Sequence, residues 1–338
     1  MKFKKLLIFP ILIVVFFLFF ALGIFLWWKD ASKPVTSVAS EVRFVIPRGR
    51  SVSQVATSLH KEGLIRSPLA FKFYVQLTGK TKNVQAGEFQ LSAHFSVPEI
   101  VTELSKGPLE LWVTIPEGLR REEIVGRFVE KLEMKEPFAS QFRQEFLSTT
   151  DRKEGFLFPD TYLFPRDASA SAVVKVMTQT FDKKVDGDME KAIAESVYSL
   201  EEIVTLASIV ERETKTDGER PIVAGILLNR ISIGMGLQAD ATVQYAVANE
   251  NCKLDVQNCS SWWPVPTLDD LQIDSPFNTY KYSGLPPAPI ANPGESSLKA
   301  AVFPEETEYL YYIHDPEGTI HYAKTLSEHN ANVSKYLR

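Results

Sequence analysis

One apolar stretch, from Leu6 to Trp28, most constrains what this chain can fold into. It contains no charged residue and, as a helix, is long enough to cross the hydrocarbon core of a bilayer. The apolar core of a cleaved signal peptide is shorter, about 7–15 residues, and a small-residue cleavage site follows it closely. Here the nearest such triplet, Ser37 to Ala39, lies too far downstream. The stretch therefore predicts an uncleaved membrane anchor.

The residues that flank this stretch predict its orientation. Lysines precede it at positions 2, 4 and 5, and Trp27 and Trp28 end it in a way that suits a membrane interface. By the positive-inside rule, residues 1–5 form a cytoplasmic tail, residues 6–28 cross the membrane once, and the remainder lies outside the cytoplasm. Residues 29–40 contain Ser, Lys and Pro and indicate a linker.

Composition excludes several classes of function. The 338 residues carry a net charge of -5, so no basic surplus argues for a nucleic-acid partner. The five histidines include neither an H-E-x-x-H motif nor a pair at metal-ligand spacing, and no G-x-S-x-G elbow is present. We therefore expect no metal, no other cofactor and no Ser or Cys nucleophile. Cys252 and Cys259 could close one small loop in an oxidising compartment or remain free thiols.

Two similar strand–turn–helix patterns dominate the first half of the chain, and they predict an α+β fold. Phe44 to Ile46 leads through a Pro-x-Gly turn into an apolar-periodic helix, and Val113 to Ile115 does the same. A further strand is predicted at 86–91 and a further helix at 97–104. The two units either merely resemble each other or form a module that grips a polymer or positions the next domain. They look similar to LysM-like modules, which bind glycan chains, so residues 41–150 are predicted to be a LysM-like α+β region.

The stretch from Leu200 to Thr214 reads as one amphipathic helix. Ser199 is its predicted N-cap, with Glu202 placed to complete a capping box. An apolar stripe at helical spacing follows: Ile203, Leu206, Ala207 and Val210.

Two glutamates, Glu211 and Glu213, fall on the opposite flanks of that stripe, since successive residues turn by about 100°. Partial burial raises the pKa of a carboxyl group, and a carboxyl that is protonated near neutral pH can serve as a general acid. The alternative is two ordinary surface glutamates paired with Arg212 or Lys215. Periodicity alone does not choose between Glu211 and Glu213.

Two polar loops follow the helix and predict a binding surface. Residues 234–242 form a glycine-punctuated loop that holds Gln238 and Asp240, and the turn-rich segment 275–294 holds Asn278 and Tyr280. Rigid polar loops commonly place hydrogen-bonding side chains around a substrate. For Gln238, Asn278 and Tyr280, the alternative is a hydrogen bond that only holds the loop. A hairpin near 309–322 and a last helix complete the pattern.

Six separated motifs now carry a family resemblance: LASIVERET, GLQAD-TV, SPFNTY, GLPP-PI-NPG, YLYYI and LSEHN. In this order behind an N-terminal anchor, they closely resemble the membrane-anchored endolytic murein transglycosylases of the MltG (YceG-like) family. The resemblance covers nearly the whole chain. The sequence departs from the family pattern at Ala241, at Tyr322 and in the cysteine-bearing segment, which concerns loop conformation rather than chemistry.

This resemblance implies a function. The family cuts newly made peptidoglycan glycan strands at the outer face of the bacterial cytoplasmic (inner) membrane, and it has a LysM-like region before its catalytic domain. Residues 151–338 are thereby expected to be a lytic transglycosylase domain that leaves 1,6-anhydro ends and terminates strand elongation. The family's catalytic glutamate is the second Glu of its motif, which is Glu213 here. Glycan strands, the membrane and peptidoglycan synthases are the expected partners. The candidate substrate-binding residues are Glu211, Gln238, Asp240, Asn278 and Tyr280.

Two alternatives remain open at this point. A muramidase hydrolase would use Asp240 or Glu211 as a second carboxylate, because ordinary glycoside hydrolases need a pair. A non-catalytic glycan-binding scaffold of the cell-wall synthesis machinery would need none.

Overall fold

The structure is a computed structural model that describes residues 3–47, 49–252 and 259–337, with side chains from residue 13 onward. Residues 1 and 2 of the predicted cytoplasmic tail, Arg48 of the first predicted turn and residues 253–258 of the cysteine-bearing segment lie outside the described residues. The chain divides into two compact units. The first comprises Met1–Leu111 with Pro165–Asp167, and the second Trp112–Phe164 with Ala168–Arg338.

The first unit is built from one long apolar helix and a small α+β fold. Strand β1 pairs with β2 in antiparallel register, with Phe44 opposite Phe89, and both side chains are buried in the core. The elements of this unit are α1 (Phe3–Ala31), β1 (Glu41–Ile46), α2 (Val52–Lys61), α3 (Pro68–Leu77), β2 (Gly87–Ser92) and α4 (Val97–Ser105). The strand predicted at 86–91 and the helix predicted at 97–104 are therefore confirmed.

Helix α1 carries the predicted membrane span. Its segment Ile13–Ala31 has a mean hydropathy of 1.9 and is not buried, so its length and composition fit a membrane-crossing helix. At its end, Trp28 stacks on Tyr74 with ring centroids 5.6 Å apart. The backbone N–H of Val35 then donates to the carbonyl of Ala93 at 3.0 Å. Part of the stretch predicted as a linker is thus held against the first unit.

The second unit, with the strand that leads into it, is mainly helical with two small sheets. Strand β3 pairs with β4, and β5 pairs with β6 in antiparallel register. The elements are β3 (Glu110–Thr114), α5 (Arg121–Lys131), α6 (Phe138–Thr149), β4 (Thr161–Pro165), α7 (Ala170–Lys184), α8 (Asp188–Glu195), α9 (Leu200–Glu213), α10 (Arg220–Ser232), α11 (Asp240–Asn251), α12 (Glu295–Val302), β5 (Tyr311–His314), β6 (Ile320–Ala323) and α13 (Leu326–Tyr336). The prediction of a mixed α+β chain is confirmed.

The two compact units divide near residue 111. The division after residue 150 into a LysM-like region and a catalytic domain stays a prediction. The backbone N–H of Ile115 donates to the carbonyl of Asp160 at 2.9 Å. Gly118 and Leu119 likewise exchange backbone hydrogen bonds with Asn292 at 2.9 Å. Because these bonds tie the second strand–turn–helix pattern to the C-terminal part of the chain, that pattern belongs to the second unit.

Helix α9 is the central helix of the second unit and packs against α10, α11 and α12. Its side chains from Ile203 to Val210 are all buried. Ser199 and Glu202 form the predicted capping box: the backbone N–H of Ser199 donates to the Glu202 carboxylate at 2.8 Å, and the Ser199 hydroxyl accepts from the Glu202 N–H at 3.3 Å. The predicted helix is confirmed, and its last residue is Glu213.

A disulfide joins Cys252 and Cys259 and closes the segment after α11. Of the two states that the sequence left open, the structure has the bonded one. Beyond it, the guanidinium of Arg212 lies 3.8 Å from the centroid of the Trp263 ring, and that of Arg120 lies 4.6 Å from the ring of Trp262. Trp262 and Trp263 are therefore held in place by cation–π contacts with two arginines.

Candidate active site

Glu213 ends α9 with a half-buried side chain beside strand β5. The hydroxyl of Tyr312 donates a hydrogen bond to its Oε2 at 2.9 Å. Burial raises the pKa of Glu213, and the negative charge of Asp240 adds to the rise, whereas Tyr312, the backbone N–H of Ala241 and His314 oppose it. The negative end of the helix dipole acts in the same direction as burial. Glu213 therefore keeps its proton to a higher pH than an ordinary glutamate.

Asp240 and Tyr280 lie next to this carboxyl group. The Tyr280 hydroxyl donates to Oδ1 of Asp240 at 2.6 Å, and Asp240, the first residue of α11, is otherwise exposed. Burial and the Asp240 hydrogen bond raise the pKa of Tyr280, so its hydroxyl stays protonated and acts as a donor. The structure thus brings the predicted residues Glu213, Asp240 and Tyr280 together.

A buried arginine lies beside these side chains. Arg230 of α10 donates from Nε to the carbonyl of Leu310 at 2.6 Å and from Nη1 to the carbonyl of Leu237 at 2.5 Å. Burial lowers its pKa, and the neighbouring Tyr312 acts in the opposite direction. An arginine remains charged under these conditions, so it supplies a fixed positive charge. We call Glu213, Asp240, Tyr280, Tyr312 and Arg230 the Glu213 cluster.

Gln238 precedes Asp240 in an unusual backbone conformation. Its φ is +47°, which is uncommon for a residue other than glycine, and its side chain is exposed. The backbone N–H of Gln238 donates to the carbonyl of Thr279 at 3.2 Å. The buried hydroxyls of Thr242 and Thr279 lie 2.9 Å apart and tie the two loops together. A strained residue that the surrounding structure holds in place is typical of a functional loop.

Asn278 has a different environment from the other candidates. It is fully buried, and its amide donates to the carbonyls of Leu271 and Ile273 at 3.0 and 2.9 Å. Its Oδ1 accepts from the backbone N–H of Tyr280 at 3.0 Å. Asn278 therefore holds the loop that presents Tyr280 and has no amide hydrogen left to give to a ligand.

Glu211 lies on the other side of α9. Its Oε1 is 3.1 Å from Nη2 of Arg220, and its Oε2 accepts from the backbone N–H of Gly294 at 2.9 Å. Only 7% of its side chain is exposed. Both oxygens are engaged in bonds that link α9 to α10 and to the start of α12. The structure therefore separates the two glutamates that the periodicity could not distinguish.

Comparison with known proteins places this chain in a family. Residues 44–335 match the model of the YceG-like family. The chain belongs to the YceG-like family. Its relatives include a Bacillus subtilis (strain 168) protein named endolytic murein transglycosylase, which is 32% identical over 342 residues, or 93% of this chain and 90% of that protein.

Other similar proteins include a second protein of the same name and a solved structure. A Streptococcus pneumoniae serotype 2 protein, also named endolytic murein transglycosylase, is 29% identical over 86% of this chain, which spans 58% of the length of that protein. The crystal structure of a yceG-like protein from Listeria monocytogenes matches with a TM-score of 0.54 and 30% identity, covering 87% of this chain and 99% of that one.

Tyr312 and Arg230 were not singled out from the sequence of this YceG-like chain. Tyr312 lies in the YLYYI motif, where period-two alternation places neighbouring tyrosines on opposite faces of the strand. That pattern could have indicated one inward-facing tyrosine, but it does not reveal which helix the inward face meets. Arg230 lies near the end of α10, and one of the two carbonyl groups that it binds, that of Leu310, is 80 positions away in the chain.

Proposed function

We propose that this chain is an endolytic lytic transglycosylase of peptidoglycan, with Glu213 as its catalytic acid and base. It cleaves the bond between N-acetylmuramic acid and N-acetylglucosamine and leaves 1,6-anhydro-muramoyl ends. The observation that carries the proposal is the half-buried Glu213 carboxyl, whose pKa is raised and whose orientation Tyr312 fixes. The family and the 32% identical relative named endolytic murein transglycosylase support the same reaction.

The reaction begins with a proton transfer. Because Tyr312 donates to Oε2 of Glu213, the proton resides on Oε1 and is delivered from there to the glycosidic oxygen. The bond from that oxygen to C1 of the muramoyl residue breaks, and the N-acetyl oxygen of the muramoyl residue assists the developing oxocarbenium ion, as in substrate-assisted glycosidases.

The second step closes the ring. The Glu213 carboxylate removes the proton from the C6 hydroxyl of the same sugar, and the C6 oxygen bonds to C1. Glu213 thereby regains its proton, and no water is consumed. A hydrolase needs a second carboxylate to attack carbon or to activate water, whereas here the substrate supplies the nucleophile.

The neighbouring polar residues orient the sugar. Asp240, held by Tyr280, places a negative charge where it stabilises the positive charge of the oxocarbenium ion. The exposed side chain of Gln238 is the candidate for a hydrogen bond to the sugar, with Tyr280 as the second. Asn278 positions Tyr280, and Glu211 positions the end of α9.

Asp240 also favours a second candidate function. A carboxylate beside the catalytic acid is what a muramidase hydrolase requires. The two reactions differ in their products, since water attack leaves reducing ends and ring closure leaves anhydro ends.

Outside this domain, we propose that α1 anchors the chain once in the cytoplasmic membrane, with the N-terminus inside and the catalytic domain outside. The β1–α2–α3–β2 arrangement of the first unit supports a LysM-like module that grips glycan chains. Both would keep the enzyme beside newly made strands and their synthases, where cleavage ends elongation.

The test uses the full chain in detergent or nanodiscs, defined glycan strands, and mass spectrometry of the fragments. The parent should release fragments with anhydro ends, each lighter by one water than a reducing end. Glu213→Gln should lower kcat by at least about 100-fold, because it removes the proposed general acid, while strand binding persists. Glu201→Gln, an exposed glutamate of the same helix, is the matched control and should cleave like the parent.

Three outcomes would overturn the proposal. A Glu213→Gln protein that cleaves at the parental rate would remove the proposed acid. Reducing ends would establish the muramidase. Strands left uncut by the parent under all conditions would favour the non-catalytic scaffold.

A further inference from the structure

Helix α3 of the first unit has an apolar stripe that the rest of the chain leaves uncovered. Leu69, Phe73 and Leu77 follow one another at intervals of four residues, so they lie on one face of this helix. Their exposed fractions are 66%, 42% and 71%. The opposite face packs into the core of the unit, where Phe71 and Val75 are fully buried. Single exposed apolar residues are common, but a contiguous stripe on one helix face indicates an interaction surface.

The stripe lies beside the C-terminal end of the proposed membrane span. The ring centroid of Trp28 is 5.8 Å from that of Phe73 and 5.6 Å from that of Tyr74. As a helix, the uncharged stretch from Leu6 to Trp28 is about 33 Å long, which matches the roughly 30 Å of a hydrocarbon core. With the span placed in a bilayer as proposed, Trp28 therefore lies where the hydrocarbon meets the outer headgroups. Phe73, in contact with Trp28, lies at nearly the same depth.

The other two residues of the stripe lie close to that depth. Leu69 and Leu77 are each four positions from Phe73, which corresponds to about 6 Å along the helix axis. The headgroup layer on each side of the hydrocarbon core is about 5–8 Å thick. The stripe therefore stays within or next to this layer at any inclination of α3. Helices that lie in the interface bury their apolar side chains at this depth.

The sequence around the stripe carries only positive charge. Positions 66–83 contain Arg66, Lys72, Lys80 and Lys82 and neither Asp nor Glu. The three lysines have no ion pair within the part of the chain that the structure describes. Lysines beside an apolar face are typical of helices that bind a surface of anionic lipids. A second copy of the same face would instead bring like charges together, which is unfavourable.

We propose that α3 is an interfacial helix, with Leu69, Phe73 and Leu77 inserted at the outer boundary between acyl chains and headgroups and the neighbouring lysines bound to lipid phosphates. The inference rests on the proposed membrane anchor, because it takes the depth of α3 from that of Trp28. It gives the first unit two attachments to the bilayer, the span and the stripe. Together they hold this unit against the membrane surface.

The test uses the full chain in nanodiscs, with an environment-sensitive fluorophore on one introduced cysteine. The two native cysteines are bonded to each other and do not compete for the label. Leu69→Cys and Leu77→Cys are the label sites, since both side chains are largely exposed and can be replaced without structural loss. Val45→Cys, at an exposed apolar residue of β1 outside the stripe, is the matched control. Lipids with a nitroxide on the acyl chain should quench the stripe labels at least about 3-fold more strongly than the control label.

The contribution of the lysines is measured in the same system. Replacing Lys72, Lys80 and Lys82 by Gln should weaken the quenching at Leu77→Cys in nanodiscs that contain anionic lipids. In nanodiscs of zwitterionic lipids alone, the same replacement should have little effect, because the electrostatic attraction is absent there. Unchanged quenching in the anionic nanodiscs would overturn the proposed binding of lipid phosphates.

A further label on Leu18→Cys, inside the proposed span, separates failure of the inference from failure of the anchor. Strong quenching at Leu18 with equal quenching at Leu69, Leu77 and Val45 would overturn the inference while leaving the anchor intact. So would rapid disulfide formation between unlabelled Leu77→Cys chains in one membrane, which would make the stripe a contact between copies of this chain. Absence of quenching at Leu18 would overturn the anchor and, with it, the inference.

Discussion

The Tyr312 hydroxyl donates a hydrogen bond to Oε2 of Glu213 at 2.9 Å, although the two residues are 99 positions apart in the chain. One oxygen of the carboxyl is thereby fixed by a hairpin strand, while the helix fixes its backbone. The orientation of the proposed acid thus depends on two elements that are distant in sequence, and this makes the contribution of each separately measurable.

Replacing Tyr312 by Phe should change the pH dependence of cleavage as well as its rate. The hydrogen bond stabilises the carboxylate and so opposes the rise in the pKa of Glu213; its loss raises that pKa further. A general acid must be protonated, so activity falls as the pH rises through this pKa. The falling limb of the pH–rate profile should therefore move to higher pH, and the plateau should drop by roughly 10-fold through lost orientation.

The control for this variant is Tyr311→Phe. Tyr311 is the adjacent residue of β5, and its ring tilts against His329 with centroids 5.2 Å apart. Removing its hydroxyl should leave the profile unchanged. A Tyr312→Phe profile that keeps its midpoint would show that the hydrogen bond does not act on Glu213.

Glu211→Gln should reduce stability but spare the chemistry. The substitution removes one of the carboxylates paired with the buried Arg220, which keeps Asp217 as a partner, and it leaves an acceptor for the Gly294 N–H. We expect a loss of about 1–3 kcal/mol in the free energy of unfolding, measured by urea titration, with anhydro products unchanged. Glu213→Gln should behave oppositely, losing activity and retaining stability. Reducing ends, or no product, from Glu211→Gln would instead make Glu211 a catalytic carboxylate.

Two helical glycines should respond to alanine in opposite directions. A Cβ at Gly225 of α10 would lie 2.2 Å from the carbonyl oxygen of Glu305, which cannot move without shifting the backbone. A Cβ at Gly126 of α5 would meet nothing within 4 Å. Gly126→Ala should raise the free energy of unfolding by about 0.5–1 kcal/mol through helix propensity, whereas Gly225→Ala should lower it by about 1–3 kcal/mol. Thermal or urea unfolding measures both, and equal effects would contradict the packing described for α10.

Stability should also depend on Glu154. Burial and the charge of Glu122 raise the pKa of Glu154 to about 8. Between about pH 4.5 and 8 the folded chain therefore holds a proton that the unfolded chain has released, so the free energy of unfolding falls as the pH rises. The slope from this one group is at most about 1.4 kcal/mol per pH unit.

Glu154→Gln should flatten that slope. Oε1 of Glu154 accepts from the backbone N–H of Arg121 at 3.1 Å and from Nδ2 of Asn292, at 2.6 Å, and a glutamine oxygen can accept both. Urea unfolding at several pH values between 5 and 8 measures the difference from the parent, with Glu201→Gln as an exposed control. An unchanged slope would mean that Glu154 is ionised in the folded chain.

Local patterns explain what the sequence could predict. The limits of α9 follow from a capping box and an apolar stripe within sixteen consecutive positions, 199–214, so no distant residue was needed. The choice between Glu211 and Glu213 was different in kind. It depends on Arg220, Gly294 and Tyr312, which lie 9, 83 and 99 positions away from the glutamates they bind.

The same limit applies to Asn278 and to the boundary between the units. A turn-rich sequence predicts a rigid loop around Asn278, but which carbonyl groups face its amide depends on the exact path of that loop. The boundary depends on backbone bonds from residues 115–119 to residues 160 and 292, and backbone groups carry no residue-specific signal. The Cys252–Cys259 pair could be proposed from spacing, whereas its bonded state required the structure.

Trp28 gives the N-terminal helix a mechanical role. The helix continues unbroken from its apolar span to Ala31, and Trp28 and Ala31 both pack against the rest of the first unit. The small α+β fold of this unit therefore cannot rotate independently of the helix. With the span placed in a bilayer as proposed, tilting or rotation of the helix would move the rest of the first unit with it.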